Sequence, residues 1–139
     1  MNQVRVGFVG AGFMGEAHAV CFREDSRVVI GRVAAGRAES AARFAARFGI
    51  PHHSDRWQDV VEDPAIDAVD IVAPNDVHAE AAVAAAQAGK AILIEKPLAR
   101  SLGEADRVVE AVTRHGAIAV YAENRRFSPA LLRMHRAVT

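Results

Sequence analysis

The sequence predicts an α/β domain, a doubly wound parallel sheet covered by helices on both faces. Three observations predict it. Short apolar, β-branched runs alternate with stretches of helical period along the chain, the pattern of a parallel sheet buried on both sides. The connections between them are short, which suits right-handed crossovers. Between the first run and the first helix lies Gly10-Ala11-Gly12-Phe13-Met14-Gly15. In such sheets ligands bind beyond the carboxyl ends of the strands, where this corner falls. A length of 139 residues fits a single domain of roughly 100–200 residues.

Taken in order, Val4–Val9 is the first strand and Phe13–Arg23 the first helix, with Cys21 expected in its buried face. Val28–Ala34 is the second strand. Residues 37–48 place Ala41, Phe44, Ala45 and Phe48 at helical spacing and stop at Gly49, a C-terminal cap. Residues 51–54 read as a short strand and 55–62 as a short helix. Residues 68–73 form a third clear strand stopped by Pro74, and Asn75 or Asp76 is placed to cap the following helix, 77–88. That helix is rich enough in alanine to lie close to the sheet. It stops at Gly89, and Lys90 reads as an exposed turn residue. Residues 91–95 are the next strand. Ser101-Leu102-Gly103-Glu104 is a capping box, and Ala105, Val108, Val109 and Val112 then make one apolar helix face that ends at Gly116. A last strand covers 118–122, and Ser128-Pro129 opens a final helix.

Composition excludes several function classes. Hydrophobic residues make up 51% of the chain, enough for a sizeable core, and 17 basic residues balance 17 acidic ones. Neither a polyanion-binding surface nor nucleic-acid binding is indicated. With aromatics at 6%, a stacking wall for single strands is not expected either. One cysteine excludes an internal disulfide and a four-cysteine zinc site, and no metal site is expected. No apolar run approaches the roughly 18 residues of a membrane helix. The start of the chain reads as a strand rather than a signal peptide, so the cytoplasm is the expected compartment.

The glycine corner carries the first chemical reading. Gly10 permits the tight turn, Gly12 lets a pyrophosphate approach the backbone, and Gly15 lets the helix pack near the strand. Free amides near Phe13 and Met14 face the anion with the positive end of the helix dipole. The spacing is a weak signal alone and a much stronger one between a strand and a helix. The second strand ends Val33-Ala34-Ala35-Gly36-Arg37. The carboxylate that would grip a ribose 2′-hydroxyl is absent, and Arg37 is positioned to meet a 2′-phosphate. The expected cofactor is therefore NADP in preference to NAD.

The later strand ends supply more candidates. Asn75 is either a helix cap or a cofactor neighbour, and His78, in the first helical turn, is either a packing residue or a cofactor neighbour. Lys96, in Ile94-Glu95-Lys96-Pro97, is aimed into the crevice from a strand end. Lysine is the cation that desolvation perturbs most readily, so Lys96 is the better chemical candidate of the two lysines. His18, His52, His53 and His115 have ordinary structural readings.

Together Gly10–Gly15, 73–78, 88–97 (AGKAILIEKP) and 123–130 (ENRRFSPA) resemble the Gfo/Idh/MocA family of NAD(P)-dependent oxidoreductases, the group of glucose–fructose oxidoreductase and inositol dehydrogenase. The resemblance covers essentially the whole chain, and AGK…EKP is its most specific part. It implies a Rossmann-type domain over residues 1–123, with 124–139 as a connector and the start of a helix. It implies that the amides of Phe13 and Met14 meet the pyrophosphate and that Pro74, Asn75 and His78 line the cofactor crevice. It places Glu95 and Lys96 near the nicotinamide ribose, with Lys96 also touching the substrate hydroxyl as the catalytic residue across a bond to Pro97 that is often cis. Asn124 and Arg125 would approach the nicotinamide. Ala35-Gly36-Arg37 is similar to the turn that goes with NADP in glucose–fructose oxidoreductase-like members.

The implied reaction is hydride transfer between the cofactor and a secondary alcohol of a sugar, cyclitol or similar polyol. Family members carry a second, substrate-binding domain with an Asp…His pair, and His135 cannot be mapped onto that histidine. The expected partner is a companion C-terminal domain or a second copy in a homo-oligomer, and Leu131, Leu132, Met134 and Val138 are expected to lack part of their packing partner. The rival reading is a stand-alone nucleotide-binding or sensor module, or a truncated non-catalytic product. A methyltransferase using S-adenosylmethionine also begins with a glycine-rich turn, but the EKP stretch argues against it.

Overall fold

A computed structural model describes residues 3–138; Met1, Asn2 and Thr139, the ends of the two expected units, lie outside the described residues. The strands are β1 (Val4–Val9), β2 (Val28–Ala34), β3 (His52–Ser54), β4 (Ala68–Ile71), β5 (Ala91–Ile94) and β6 (Ala119–Tyr121). The helices are α1 (Phe13–Arg23), α2 (Ala38–Phe48), α3 (Gln58–Val61), α4 (Asn75–Gln87), α5 (Leu102–His115) and α6 (Pro129–Val138), with a 3-10 turn over Asn124–Phe127. All pairings are parallel, in the order β3-β2-β1-β4-β5-β6. The chain winds outward from β1 in one direction and, after β4, in the other. The crevice at the carboxyl ends of β1 and β4 is therefore the topological switch point, where open α/β sheets bind ligands.

Strand alternation divides the core into two layers. Val9, Val69, Ile71, Ile92 and Ile94 pack with α3, α4 and α5 on one face. Val6, Phe8, Ile30 and Val33 pack with α1 and α2 on the other. The alanines of α4 explain its fit: Ala81, Ala82, Ala85 and Ala86 are fully buried, which brings its backbone close to the sheet. Gly49 and Gly116 cap α2 and α5 in left-handed conformation, and the Ser101 side chain accepts the Glu104 amide at the start of α5. No residue of α6 is buried, and Leu131, Leu132, Met134 and Val138 are exposed.

Three local expectations are corrected. Cys21 is exposed, because the inward stripe of α1 runs through Gly15, Ala19 and Phe22 and leaves position 21 off that line. Helix α4 starts at Asn75 rather than Val77, with Pro74 as its N-cap and no side-chain cap. Asn75 and Asp76 are already inside the first turn, so neither caps it. Lys90 is a half-buried tether rather than an exposed turn residue: its ammonium donates to the carbonyls of Asp63 and Ile66 at 2.8 and 2.7 Å. The same segment is held from the sheet by Arg32, whose Nε donates to Asp63 Oδ2 at 2.9 Å.

Hydrogen bonds from a charged donor to partly buried carbonyls are worth about 1.5–3 kcal/mol in total effect when broken. Lys90→Met should therefore lower the unfolding free energy by about 2 kcal/mol, read by urea denaturation, while the similarly long Arg114→Met on the exposed face of α5 should change it by less than about 0.5 kcal/mol.

Candidate functional site

The site grows from the corner between β1 and α1. Gly10 has φ +117°, and a Cβ there would lie 2.5 Å from the carbonyl oxygen of Val72. Only glycine allows β1 to turn this close to the end of β4. The Gly10 amide donates to Ala34 O at 2.8 Å, which ties the corner to β2 as well. A Cβ on Gly15 would sit 3.2 Å from Gly10 O, so the helix presses directly on the turn. Gly12 is different: no heavy atom lies within 4 Å of its Cβ direction. It is the N-cap of α1 in extended conformation, without a side-chain cap. Glu16 N–H donates to Gly12 O at 3.0 Å, and the amides before it have no partner within an α-helix. The corner thus presents open space, unpaired N–H groups and the positive end of a helix dipole together.

This corner forms one wall of a cavity of about 800 Å³. Val9, Gly10, Gly12, Phe13 and Met14 line it from β1 and α1; Ala34, Ala35, Gly36 and Arg37 line it from the end of β2; Val72, Ala73, Pro74 and Val77 line it from β4 and α4. Arg37 is the exposed N-cap of α2. Ser40, one turn on, shares the cavity and accepts a hydrogen bond from Arg43 at 3.3 Å. Asp55 and Trp57, which follow β3, complete the lining together with Asp76 and Ala11. Sequence reasoning missed Asp55 and Trp57. A search for a carboxylate at the end of the second strand cannot find Asp55, because it follows β3, which lies beside β2 in space. The signal for Trp57 was its status as the single tryptophan, placed just after that strand.

Behind the cleft lies a polar cluster between α1 and the sheet. Asp70, in the middle of β4, is fully buried. His18 Nδ1 stands 2.8 Å from Asp70 Oδ2, and His18 Nε2 stands 3.5 Å from Glu95 Oε1. The other Glu95 oxygen, Oε2, accepts the Lys96 backbone N–H at 2.9 Å and lies 3.7 Å from Lys96 Nζ. Burial pushes the Asp70 carboxyl up from its ordinary range, and His18 pulls it partly back. The Asp70 hydrogen bond raises His18 above 6.5, against the opposing effect of burial. The sequence carried a signal for this cluster: an aspartate inside a buried strand requires a partner, and His18 lies on the stripe Gly15, His18, Ala19, Phe22 that faces the sheet.

The cavity brings together Gly10, Gly12, Phe13, Met14, Ala35, Arg37 and Pro74 of the sequence-derived site. Gly15 is buried behind the corner, and Asn75 is exposed just outside the lining. His78 does not face the cavity. It is 1% exposed, with Nδ1 at 2.7 Å from Pro97 O and Nε2 at 2.9 Å from Ala73 O. It pins the loop after β4 to the loop after β5, because a ring in that first turn is boxed between two backbone carbonyls. Glu95 is also buried, while Lys96 is exposed and joined to Pro97 by a cis bond. Asn124 and Arg125 are exposed in the 3-10 turn after β6, where the Arg125 amide donates to Glu123 Oε1 at 3.3 Å. Neither contributes to the cavity lining.

Comparison with known proteins decides which family this corner belongs to. Residues 4–123 match the Gfo/Idh/MocA oxidoreductase family, described as having an NAD-binding Rossmann fold. The chain belongs to this family. Levoglucosan dehydrogenase of Pseudarthrobacter phenanthrenivorans is 38% identical over 139 residues, covering 94% of this chain and 36% of that enzyme. The scyllo-inositol 2-dehydrogenase (NAD(+)) of Bacillus subtilis is 40% identical over 133 residues, covering 93% and 38%. A solved levoglucosan dehydrogenase in complex with NADH and levoglucosan superposes with a TM-score of 0.87 at 38% identity, covering 93% and 37%. A probable dehydrogenase from Thermotoga maritima superposes with a TM-score of 0.90 at 27% identity, covering 97% and 40%. The chain thus spans well under half the length of these Gfo/Idh/MocA relatives. A nicotinamide dinucleotide fits this member of the family on its own geometry, since the Gly12 opening and the free amides beside it are what a pyrophosphate requires. Among the described residues no helix is long and apolar enough to cross a membrane.

The buried cluster sets a pH dependence. His18 binds its proton more tightly in the folded chain than in the unfolded one, so its stabilising contribution is complete below pH 6.5 and is lost as pH rises through its raised value. Asp70 is shifted upward too, so it acts in the same direction. The thermal midpoint should fall from about pH 6 to about pH 9, and His18→Gln combined with Asp70→Asn, since Asp70 is pushed further up once His18 is gone, should remove most of that slope in differential scanning calorimetry. An unchanged slope would exclude the pair as its source.

Proposed function

We propose that this chain is the cofactor half of an oxidoreductase that binds NADP in preference to NAD and acts on a secondary alcohol of a sugar, cyclitol or related polyol. The observation that carries this reading is the open space at Gly12, on the α1 N-terminus, in a cavity at the switch point of the sheet. When bound, the coenzyme supplies the hydride acceptor or donor. The chain's own residues bind and orient. The amides of Phe13 and Met14 hold the pyrophosphate, and Gly10 and Gly15 keep that corner tight. Ala35 and Arg37 form the turn that receives the 2′-phosphate, with Ser40 beside it. Two carboxylates line the cavity, Asp55 and Asp76; Asp55, which follows Ser54 beside that turn, stands available to a ribose hydroxyl.

Pro74 and Asn75 border the crevice, and His78 acts by pinning the loops that carry Pro74 and Lys96. Lys96 contacts the substrate hydroxyl and assists its proton transfer, a general acid–base role, with Glu95 behind it. Asn124 and Arg125 approach the nicotinamide side. In this reading residues 1–123 are the dinucleotide-binding unit and 124–139 the connector toward a substrate domain. The sugar and cyclitol dehydrogenases among the relatives support the substrate class, and the cytoplasm is the proposed compartment.

Two substitutions separate the parts of this reading by isothermal titration with NADPH and NADH. Gly12→Val has room in the folded chain and an extended backbone that accepts any residue. It should keep the thermal midpoint and weaken both coenzymes by more than about 100-fold, roughly 2.7 kcal/mol. Unchanged affinity would make the corner merely a turn. Arg37→Ala should weaken NADPH by about tenfold and leave NADH nearly unchanged. Equal loss for both would remove the 2′-phosphate contact.

A further inference from the structure

The two nitrogens of His18 each face a carboxylate oxygen. Asp70 Oδ2 lies 2.8 Å from Nδ1 and Glu95 Oε1 lies 3.5 Å from Nε2. A neutral imidazole has one N–H and can donate to only one of them, whereas the imidazolium donates to both. The ring side chain is 18% exposed, and the two carboxyls are 0% and 5% exposed. A second observation points the same way. Asp70 Oδ1 is buried with no hydrogen-bond partner among the described residues, so His18 is the group that offsets this carboxylate. Buried charges of one sign require such a partner.

The connection continues outward. Strand alternation turns Ile92 and Ile94 toward α4 and α5, which sends Glu95 to the α1 side of the sheet, where Asp70 also points. One Glu95 oxygen meets His18, and the other takes the Lys96 amide and approaches Lys96 Nζ. The charged groups facing His18 are thus Asp70 from β4 and Glu95 from the end of β5, with Lys96 behind Glu95. On its own helix its neighbour is the Phe22 ring, 6.5 Å away edge-on.

We propose that His18 is a positioning residue for Lys96: as an imidazolium it holds both buried carboxylates at once, and through Glu95 it fixes the backbone turn and the ammonium of Lys96 at the carboxyl end of β5. Loss of the Nε2 proton to solvent releases Glu95, and Lys96 loses its orientation. The hydrogen bond that His18 Nδ1–H donates to Asp70 keeps the ring protonated to higher pH than that of a free histidine. The functional meaning of this inference rests on the role proposed for Lys96 above, since an orientation switch matters only if Lys96 meets substrate.

The test is an NMR pH titration of the isotope-labelled 139-residue chain over about pH 5.5 to about pH 9. It follows the His18 ring nitrogens and the Lys96 amide. The expected result is that the Lys96 amide shift inflects at the His18 midpoint. In His18→Gln that inflection should vanish, and in Glu95→Gln His18 should still titrate while the Lys96 amide stays flat. The Lys90 amide, which donates to Ala85 O at 2.9 Å, should not follow in any sample, whereas a general loosening of the fold would move it. A flat Lys96 amide in the wild-type chain, or an inflection that survives His18→Gln, overturns the proposal. If both variants unfold, the wild-type midpoints decide: shared values support the coupling and different values overturn it. Addition of NADPH to the wild-type sample keeps the two readings apart. Binding with a flat Lys96 amide removes only this inference, and coupled titration without binding removes only the cofactor reading.

Discussion

The approach of Gly10 to Val72 places everything else at the cleft. It sets the backbone at the end of β1 against the backbone at the end of β4, closer than any side chain would permit. Gly15 then rests α1 on the same turn. These two contacts aim the start of α1 into the crevice that the strand order opens between β1 and β4. A helix N-terminus is an anion site only where its amides are free and its approach is clear. Here the sheet topology supplies the position, and the absence of a side chain at Gly12 supplies the clearance.

Around that corner the molecule divides its polar residues by what the sheet faces allow. The α4 and α5 side is packed with small and branched apolar groups, and the ring nitrogens of its buried His78 face two backbone carbonyls. The α1 side carries Asp70, Glu95 and His18 beneath the helix. Burying two carboxyl groups there is unfavourable without compensation; the imidazole between them supplies part of it, and the Lys96 amide and ammonium supply the rest at Glu95. The same arrangement ties the helix that begins at the glycine corner to the strand that ends at Lys96. The glycine corner and the lysine-bearing strand end therefore share one set of contacts.

The strands and helices were largely legible because their apolar periods differ and because glycine, proline and serine mark their ends. Strands β1 and β2 and helix α1 fall where the pattern puts them. Expectations failed where one residue had two uses. Pro74 could end a strand or begin a helix, and it does the second directly. Lys90 follows a glycine turn, as surface lysines do, yet its stem reaches back to two carbonyls of the loop before β4. Cys21 belongs to a type that is commonly buried, but helical phase turns it outward.

The α/β alternation, the glycine corner and the candidate residues at each strand end were readable along the chain, since these depend on neighbours a few positions apart. Folding alone brings Asp55 to Arg37 at one cleft, makes His78 a buried pin, and gathers His18, Asp70 and Glu95 into one cluster behind Lys96. Those groupings arise from parallel strand pairing and helix packing, which join residues far apart in the chain, and no local period records which strand lies beside which.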